Sequence, residues 1–120
     1  MPHKILIIDD QPRICSLLEE VFKKDYEVYL ATEANKALEI IETAQPDLAI
    51  VDMNLGQESG VDLIEKMLEI KNDLLLVMLT GNYTPRHKER GAELGVKAFL
   101  EKPFDIIEMR SCIASILSNG

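Results

Sequence analysis

The sequence predicts a single doubly wound α/β domain, a (βα)5 unit around a five-stranded parallel sheet. Five short apolar runs alternate with five helix-length segments. Three of these runs are continuous and rich in Ile, Val and Leu, which is typical of strands buried on both faces of a parallel sheet. The links are short, which favours right-handed crossovers with helices on both faces. A chain of 120 residues has the length of one such domain, predicted here over residues 1–120.

The predicted strands cover residues 4–9, 26–30, 48–52, 74–79 and 96–100. The first, third and fourth runs are apolar throughout, so we place them at the centre of the sheet. The second and fifth alternate polar with apolar residues, which suits the two edges. None of the five contains an internal proline, so each can form a complete hydrogen-bond ladder.

Four of the five helices are predicted from apolar residues that recur three or four positions apart. Their stripes are Ile14, Leu17, Leu18, Val21 and Phe22; Ala34, Ala37, Leu38 and Ile41; Val61, Ile64, Met67 and Leu68; and Met109, Cys112, Ile113, Ile116 and Leu117. Thr32 is the predicted N-cap of the second helix, and Asp105 lies near the start of the last. Thr84 and Gly95 can begin and end the fourth, residues 84–94. The body of this fourth helix is nearly all charged, which predicts the least firmly packed helix.

Charge and hydropathy exclude two classes of partner. The net charge is -8 and the pI is about 4.7, whereas a nucleic-acid-binding face needs clustered Lys and Arg. The longest apolar run, residues 74–79, is far too short to cross a bilayer. The N-terminal residues, Met1-Pro2-His3-Lys4, lack the layout of a signal peptide. We therefore expect a cytoplasmic domain that binds neither nucleic acid nor membrane.

Polar side chains collect where the predicted strands end. Asp9 and Asp10 follow the first strand, Asp52 ends the third, and Thr80 and Lys102 follow the fourth and fifth. The carboxyl ends of parallel strands meet at one edge of a sheet, where ligand chemistry gathers in such folds. Any one aspartate here could simply cap a turn. Three carboxylates beside a hydroxyl and a lysine instead predict a functional site.

The composition of this site indicates metal-assisted phosphoryl chemistry. Neighbouring carboxylates raise one another's pKa unless a cation offsets their charge. Carboxylate oxygens, a backbone carbonyl and water are the ligands that Mg2+ prefers. Bound there beside Lys102 and Thr80, Mg2+ would present positive charge to a phosphate oxygen. One carboxylate would remain to attack phosphorus and form an aspartyl-phosphate.

Two other α/β classes fit the sequence less well. A flavodoxin-like FMN domain or a dinucleotide-binding domain needs a Gly- or Thr-rich loop after the first strand. Here that loop is Asp9-Asp10-Gln11-Pro12, whose carboxylates would repel a phosphate. A haloacid-dehalogenase-like phosphatase needs a second acid two residues after its nucleophilic aspartate. That position is Asn54, which cannot act as an acid at neutral pH.

These features together resemble the receiver domains of response regulators in two-component signalling, across essentially the whole chain. The likeness rests on the acidic pair after strand one, Asp52 after strand three, Thr80 after strand four, and Lys102-Pro103 after strand five. Residues 102–106 and the Asp10-Gln11 step are similar to stand-alone phosphorelay regulators of the sporulation type. The resemblance implies a flavodoxin-like strand order of 2-1-3-4-5.

The resemblance also implies roles for the acidic residues. Asp9, Asp10, Asp52 and the backbone carbonyl of Asn54 would hold Mg2+, directly or through water. Asp52 would accept a phosphoryl group from a sensor histidine kinase or a histidine phosphotransfer protein. The phosphorylated domain would then signal to a downstream output domain or protein. Such a domain is not an enzyme in the usual sense, since it catalyses only its own phosphorylation and dephosphorylation.

The resemblance further implies how the site is linked to the rest of the domain. Thr80 and Lys102 would contact the acyl phosphate, and Phe99 matches the aromatic switch position. Plain packing on a half-buried strand is the alternative for Phe99. Pro103 would follow a cis peptide bond. Gly56 stands where the family commonly has a proline, which predicts a looser loop after strand three.

The resemblance also implies that the phosphoryl donor docks near the acidic edge, on the first helix and on the loop after strand five. Ile14, Cys15 and Leu18 offer more apolar surface than one stripe needs, so either Ile14 or Cys15 is predicted to be exposed. The alternative function, from another class, is a pseudo-receiver that binds partners without ever carrying phosphate. Three mutually repelling carboxylates argue against a pure binding module, which has no use for them.

Overall fold

The computed structural model describes residues 2–55, 58–81 and 85–119, and the side chains of residues 58, 85–87 and 119 are not considered. Its strands are β1 Lys4–Ile8, β2 Glu27–Ala31, β3 Leu48–Asp52, β4 Asn54–Leu55, β5 Glu58–Ser59, β6 Leu75–Thr80 and β7 Ala98–Glu101. Its helices are α1 Pro12–Phe22, α2 Ala34–Ala44, α3 Gly60–Ile70, α4 Pro85–Glu93 and α5 Ile106–Asn119. Among the described residues, no helix is both long and apolar enough to span a membrane.

The main sheet has five parallel strands in the order β2-β1-β3-β6-β7. Strands β4 and β5 form a separate two-residue antiparallel pair. With that pair set aside, the order is 2-1-3-4-5, so the predicted fold class and strand order are confirmed. The burial of the strands also agrees with the sequence, since β3 is buried throughout while β2 and β7 are largely half-buried edges.

The sheet separates two apolar cores. Ile5 and Ile7 of β1 pack with α1 and α5, and Leu6 and Ile8 pack on the opposite face with α2 and α3. This alternation follows from the two-residue side-chain period of a strand. The central strands are covered by apolar residues on both faces and have no solvated side. Their sequences are therefore continuous apolar runs.

The helix ends agree in part with the sequence. Gly95 has a φ of 84°, and the N–H groups of Gly95 and Val96 donate to the carbonyls of Ala92 and Gly91. That pair of bonds is the glycine-dependent helix ending that the sequence predicted after α4. Asp105 accepts hydrogen bonds from the N–H groups at positions 107 and 108, at 2.8 and 3.1 Å, so it caps α5. The predicted cap Thr84 lies outside the described residues.

Some of the predicted boundaries are wrong. The N-cap of α2 is Glu33 and not Thr32, and it makes no side-chain capping bond. The last strand begins at Ala98, two residues later than expected. The Val96 N–H still bonds to the Gly91 carbonyl at the end of α4, and the first bond to β6 runs from the Lys97 N–H to the Leu76 carbonyl. The β4–β5 pair was not predicted at all, since two-residue strands leave no periodic signal.

The buried face of α1 also differs from the predicted stripe. Cys15, Leu18 and Phe22 are buried, so of the two residues Ile14 and Cys15, one of which was expected to be exposed, Cys15 is a core thiol. The most exposed apolar residue of α1 is Leu17, whose exposed fraction is 41%. Ile14 is half-buried against the α1–α5 core. The helix is therefore rotated relative to the stripe, with the small Cys15 thiol turned toward the sheet.

Candidate functional site

The turn after β1 holds the first carboxylate in place. Asp9 is fully buried, and its N–H donates to the Ala31 carbonyl of β2 at 3.1 Å. Its Oδ1 accepts from the Gln11 N–H at 2.9 Å, and α1 begins at Pro12, where the missing N–H costs nothing. The neighbouring Asp10 is exposed. One acid is therefore fixed inside the edge of the sheet and one stands outside it.

Asp52 is the last residue of the fully buried central strand β3. It is 2% exposed, and it lies beside Leu79 in the register between β3 and β6. Its Oδ1 accepts from the Asn54 N–H at 3.1 Å, which fixes the orientation of the carboxylate. The strand β3 lies between β1 and β6 in the sheet, so this side chain stands at the end of a strand that is paired on both sides.

Lys102 links the two buried acids. Its Nζ lies 3.0 Å from Asp9 Oδ2 and 3.4 Å from Asp52 Oδ2. The backbone N–H of Lys102 donates to the Thr80 carbonyl at 2.8 Å, so the ends of β6 and β7 are joined at the site. The peptide bond between Lys102 and Pro103 is cis.

The electrostatics of the cluster are unbalanced. One carboxylate oxygen from each of Asp9, Asp10 and Asp52 lies within 4.8 Å of the other two. Burial, together with the charge of Asp9, raises the pKa of Asp52 against the opposing effects of the Asn54 N–H and Lys102. Burial lowers the pKa of Lys102, but the nearby carboxylates outweigh it, so that this pKa is raised overall. A single lysine thus faces three acids.

The same cluster has donor atoms that suit a hard cation. Asp9 Oδ2 is buried and has no hydrogen-bond partner among the described residues, because its approach to Lys102 Nζ is an ion pair without hydrogen-bond alignment. A buried carboxylate oxygen is costly to leave unsatisfied. Three converging carboxylates, one of them with a buried oxygen whose described contact is the ion pair with Lys102, are donors that Mg2+ prefers, so these residues fit that ion.

Thr80 and Phe99 stand on the two strands beyond the acids. Thr80 ends β6 and is 2% exposed, and Phe99 lies opposite Met78 in β7. The ring of Phe99 is half-buried and packs toward the α2–α3 core. A Cβ built at Gly91 of α4 would lie 2.7 Å from Phe99 Cε1 and 2.4 Å from Met78 Sδ. The backbone of α4 therefore rests directly on the Phe99 ring.

The structure brings most of the predicted site together. Asp9, Asp10, Asp52 and Lys102 form one cluster at the carboxyl edge of the sheet, and Thr80 ends the adjacent strand. Asn54 begins β4, two residues after Asp52. Gly56, the departure from the family's usual proline, lies outside the described residues. Sequence reasoning missed Gly60 and Gly91, whose importance comes from close backbone contacts that leave no mark in composition or spacing.

Comparisons with known proteins show which family this chain resembles. The family described as "Response regulator receiver domain" matches residues 5–114. "Sporulation initiation phosphotransferase F" of Bacillus subtilis (strain 168) is 34% identical over 118 residues, which cover 98% of this chain and 95% of that protein.

Solved structures give the same result. A CheY-like response regulator receiver domain protein from Methanospirillum hungatei JF-1 is 26% identical, with a TM-score of 0.94, and covers 99% of this chain and 96% of its own. A putative response regulator from Chloroflexus aurantiacus J-10-fl is 31% identical, with a TM-score of 0.88, and covers 98% of this chain and 99% of its own. With the family match spanning nearly all of the sequence, this chain belongs to the response regulator receiver domain family.

Proposed function

We propose that this chain, residues 1–120, is a cytoplasmic phosphoacceptor that takes a phosphoryl group onto Asp52 in a Mg2+-dependent reaction. The donor is a phosphohistidine on a sensor histidine kinase or a histidine phosphotransfer protein. The phosphorylated domain then signals to an output domain or protein. The observation that carries the proposal is the buried Asp52 carboxylate, grouped with two further carboxylates and contacted by Lys102.

The proposed reaction is a displacement at phosphorus. An oxygen of the Asp52 carboxylate attacks phosphorus, and an O–P bond forms while the P–N bond of the phosphohistidine breaks. The electron pair of the broken bond stays on the imidazole nitrogen of the donor. Lys102 is placed to pair with a phosphoryl oxygen, and the Thr80 hydroxyl can bind another from the adjacent strand end.

The metal is assigned to Asp9, Asp10, Asp52 and the backbone carbonyl of Asn54. When bound, Mg2+ supplies positive charge that offsets the charge on the transferring phosphoryl group. The protein's own part is to hold the acids in position, through the Gln11 N–H on Asp9 and the Asn54 N–H on Asp52. The domain catalyses only its own phosphorylation and dephosphorylation, so it is not an enzyme acting on a separate substrate.

A pseudo-receiver that never carries phosphate is the competing function. Burying two carboxylates beside each other costs free energy, and a pure binding module gains nothing from that cost. Incubation with acetyl phosphate and Mg2+, followed by intact mass, separates the two functions. The phosphoacceptor should gain one phosphoryl group, and chelation of the metal should prevent the gain. Wild-type protein that never gains mass in the presence of Mg2+ would support the pseudo-receiver.

The metal assignment predicts the effect of removing the exposed acid. Asp10→Asn is expected to weaken Mg2+ binding by about tenfold, or about 1.4 kcal/mol, because it removes one of the converging negative charges. Mg2+ titration followed by backbone amide NMR measures the effect. Glu42→Gln is a matched control, since Glu42 is an exposed acid at the far end of α2. If Mg2+ left the amides around Asp9 and Asp52 unmoved in wild type, the metal assignment would be wrong.

The exposed part of α1 predicts a docking effect on phosphotransfer. Because Ile14 is half-buried, the better probe of the donor-binding surface is Leu17, which is 41% exposed. Leu17→Asp is expected to slow transfer from a phosphohistidine-carrying phosphotransfer protein by about tenfold or more and to leave labelling by acetyl phosphate unchanged. The two labelling rates, measured in parallel, test this expectation.

A matched control exists on α3. Ile70 is 36% exposed at the end of that helix, so Ile70→Asp introduces a similar charge away from the acidic edge and should slow neither reaction. Loss of both reactions in Leu17→Asp would indicate a folding defect. Unchanged transfer from the phosphohistidine donor would place the docking surface elsewhere.

A further inference from the structure

The described residues between Asp52 and α3 form a short antiparallel pair. Asn54 pairs with Ser59, and Leu55 with Glu58, in the antiparallel β4–β5 pair. The next residue, Gly60, begins α3, and its N–H donates to the Met53 carbonyl at 3.3 Å. The first turn of α3 is therefore placed directly against the backbone that carries Asp52.

Gly60 leaves no space for a side chain at this contact. A Cβ at position 60 would lie 2.9 Å from Met53 Cα and 3.0 Å from both the Asp52 carbonyl oxygen and Met53 Sδ. The methionine side chain could move aside, but the Cα and the carbonyl oxygen belong to the backbone and cannot. The need for glycine here is one of space, since φ at position 60 is not in the left-handed region.

The backbone that Gly60 contacts is also held from the other side. The Met53 N–H donates to the Leu79 carbonyl of β6 at 3.0 Å, and the Asn54 N–H donates to Asp52 Oδ1 at 3.1 Å. The peptide between Asp52 and Met53 is thus clamped between β6 and the start of α3. Any displacement from the α3 side would move both the carboxylate and the adjoining Asn54 backbone.

We propose that Gly60 is a positioning residue for the phosphoacceptor site. Its missing side chain lets α3 begin against the Asp52–Met53 peptide, and that contact sets the position of the Asp52 carboxylate and the Asn54 carbonyl. Gly60 touches neither the metal nor the phosphoryl group and acts only through this backbone. The inference rests on the proposed function of Asp52, and it assigns the position of that carboxylate to the close approach of the Gly60 backbone to the Asp52–Met53 peptide.

Gly60→Ala tests the proposal, with Ser59→Ala as its control. Ser59 caps α3 by accepting from the Val61 N–H at 3.2 Å, so its loss weakens the start of the helix without pushing on Asp52. Gly60→Ala is expected to weaken Mg2+ binding about tenfold, to slow acetyl phosphate labelling similarly, and to shift the amides of residues 52–54. Ser59→Ala should lower the unfolding temperature while the Mg2+ affinity and the labelling rate stay near wild type.

The outcomes are separable. Wild type that neither binds Mg2+ nor gains a phosphoryl group would refute the proposed function, and this inference with it. If wild type is functional and a folded Gly60→Ala keeps the same Mg2+ affinity and labelling rate, this inference alone is wrong. It is also wrong if Ser59→Ala loses as much Mg2+ affinity as Gly60→Ala does. If Gly60→Ala does not fold, adding Met53→Ala removes the side-chain clash but keeps both backbone contacts, and the same losses are expected of the double variant.

Discussion

Asp52→Asn is expected to abolish the gain of a phosphoryl group from acetyl phosphate, measured by intact mass in the presence of Mg2+. The amide of asparagine is almost the same shape as the carboxylate, but it has no anionic oxygen to attack phosphorus. The loss should therefore be complete and not partial.

The fold should survive the same substitution. Burial raises the pKa of Asp52, which means that the folded state opposes the charged form of this side chain. For an acid with a raised folded-state pKa, this penalty is present at pH values above that pKa and disappears below it. Near neutral pH, in the absence of metal, thermal unfolding of Asp52→Asn should therefore occur at the wild-type temperature or higher.

Asp73→Asn is the matched control for this experiment. Asp73 is an exposed aspartate paired with Lys71 just before β6, at the opposite edge of the sheet. It should keep full labelling, so a loss confined to Asp52→Asn would identify the acceptor. Continued gain of one phosphoryl group by Asp52→Asn would move the chemistry to another residue.

The central strands and the acidic site could be predicted from sequence for the same physical reason. Residues 48–52 are apolar up to Asp52 and buried on both faces, so the predicted and observed bounds of β3 coincide. A parallel sheet brings its strand ends to one edge, which makes the meeting of Asp9, Asp52 and Lys102 a consequence of topology. This prediction required the order and direction of the strands but no knowledge of individual side-chain contacts.

The errors fall where tertiary contacts decide the structure. Polar residues alternate through the last strand, so nothing in the pattern fixed its start at Ala98. On α1, both the predicted and the observed stripe have helical spacing, and packing against the sheet selected Cys15 over Leu17 for burial. Gly60 and Gly91 matter because of backbone and ring atoms that lie close only in the fold.

The second large effect concerns Thr80 and the packing of α4. Two contacts of the charged helix α4 with the rest of the domain bear on this effect. Its backbone rests on the Phe99 ring at Gly91, and Arg90 forms an ion pair with Glu65 of α3. Both side chains of the ion pair are more than one third exposed, so that pair contributes little to stability. Of these two, the close contact of Gly91, which involves Phe99 and also Met78, is the more important constraint on where α4 lies.

Phosphorylation is expected to act on this contact through Thr80. An acyl phosphate on Asp52 adds hydrogen-bond acceptors that the carboxylate lacks, and the Thr80 hydroxyl can turn toward them from the adjacent strand end. That movement would vacate space beside β7 for the Phe99 ring. Once the Phe99 ring moves away from Gly91, α4 can take a different position on the sheet. The equilibrium between the two arrangements should shift by about 1–3 kcal/mol.

Beryllofluoride, a mimic of the phosphoryl group, tests this relay. In wild type it should shift the amides around Asp52 and also those of α4 and β7. In Thr80→Ala, beryllofluoride should still bind at Asp52. The distant shifts around Phe99 should largely vanish, because the hydroxyl that would hydrogen-bond to the bound mimic is gone. Thr43→Ala is the control, since the Thr43 hydroxyl bonds only within α2 in the described part of the chain. Distant shifts of full size in Thr80→Ala would exclude Thr80 as the relay and leave Phe99 a packing residue.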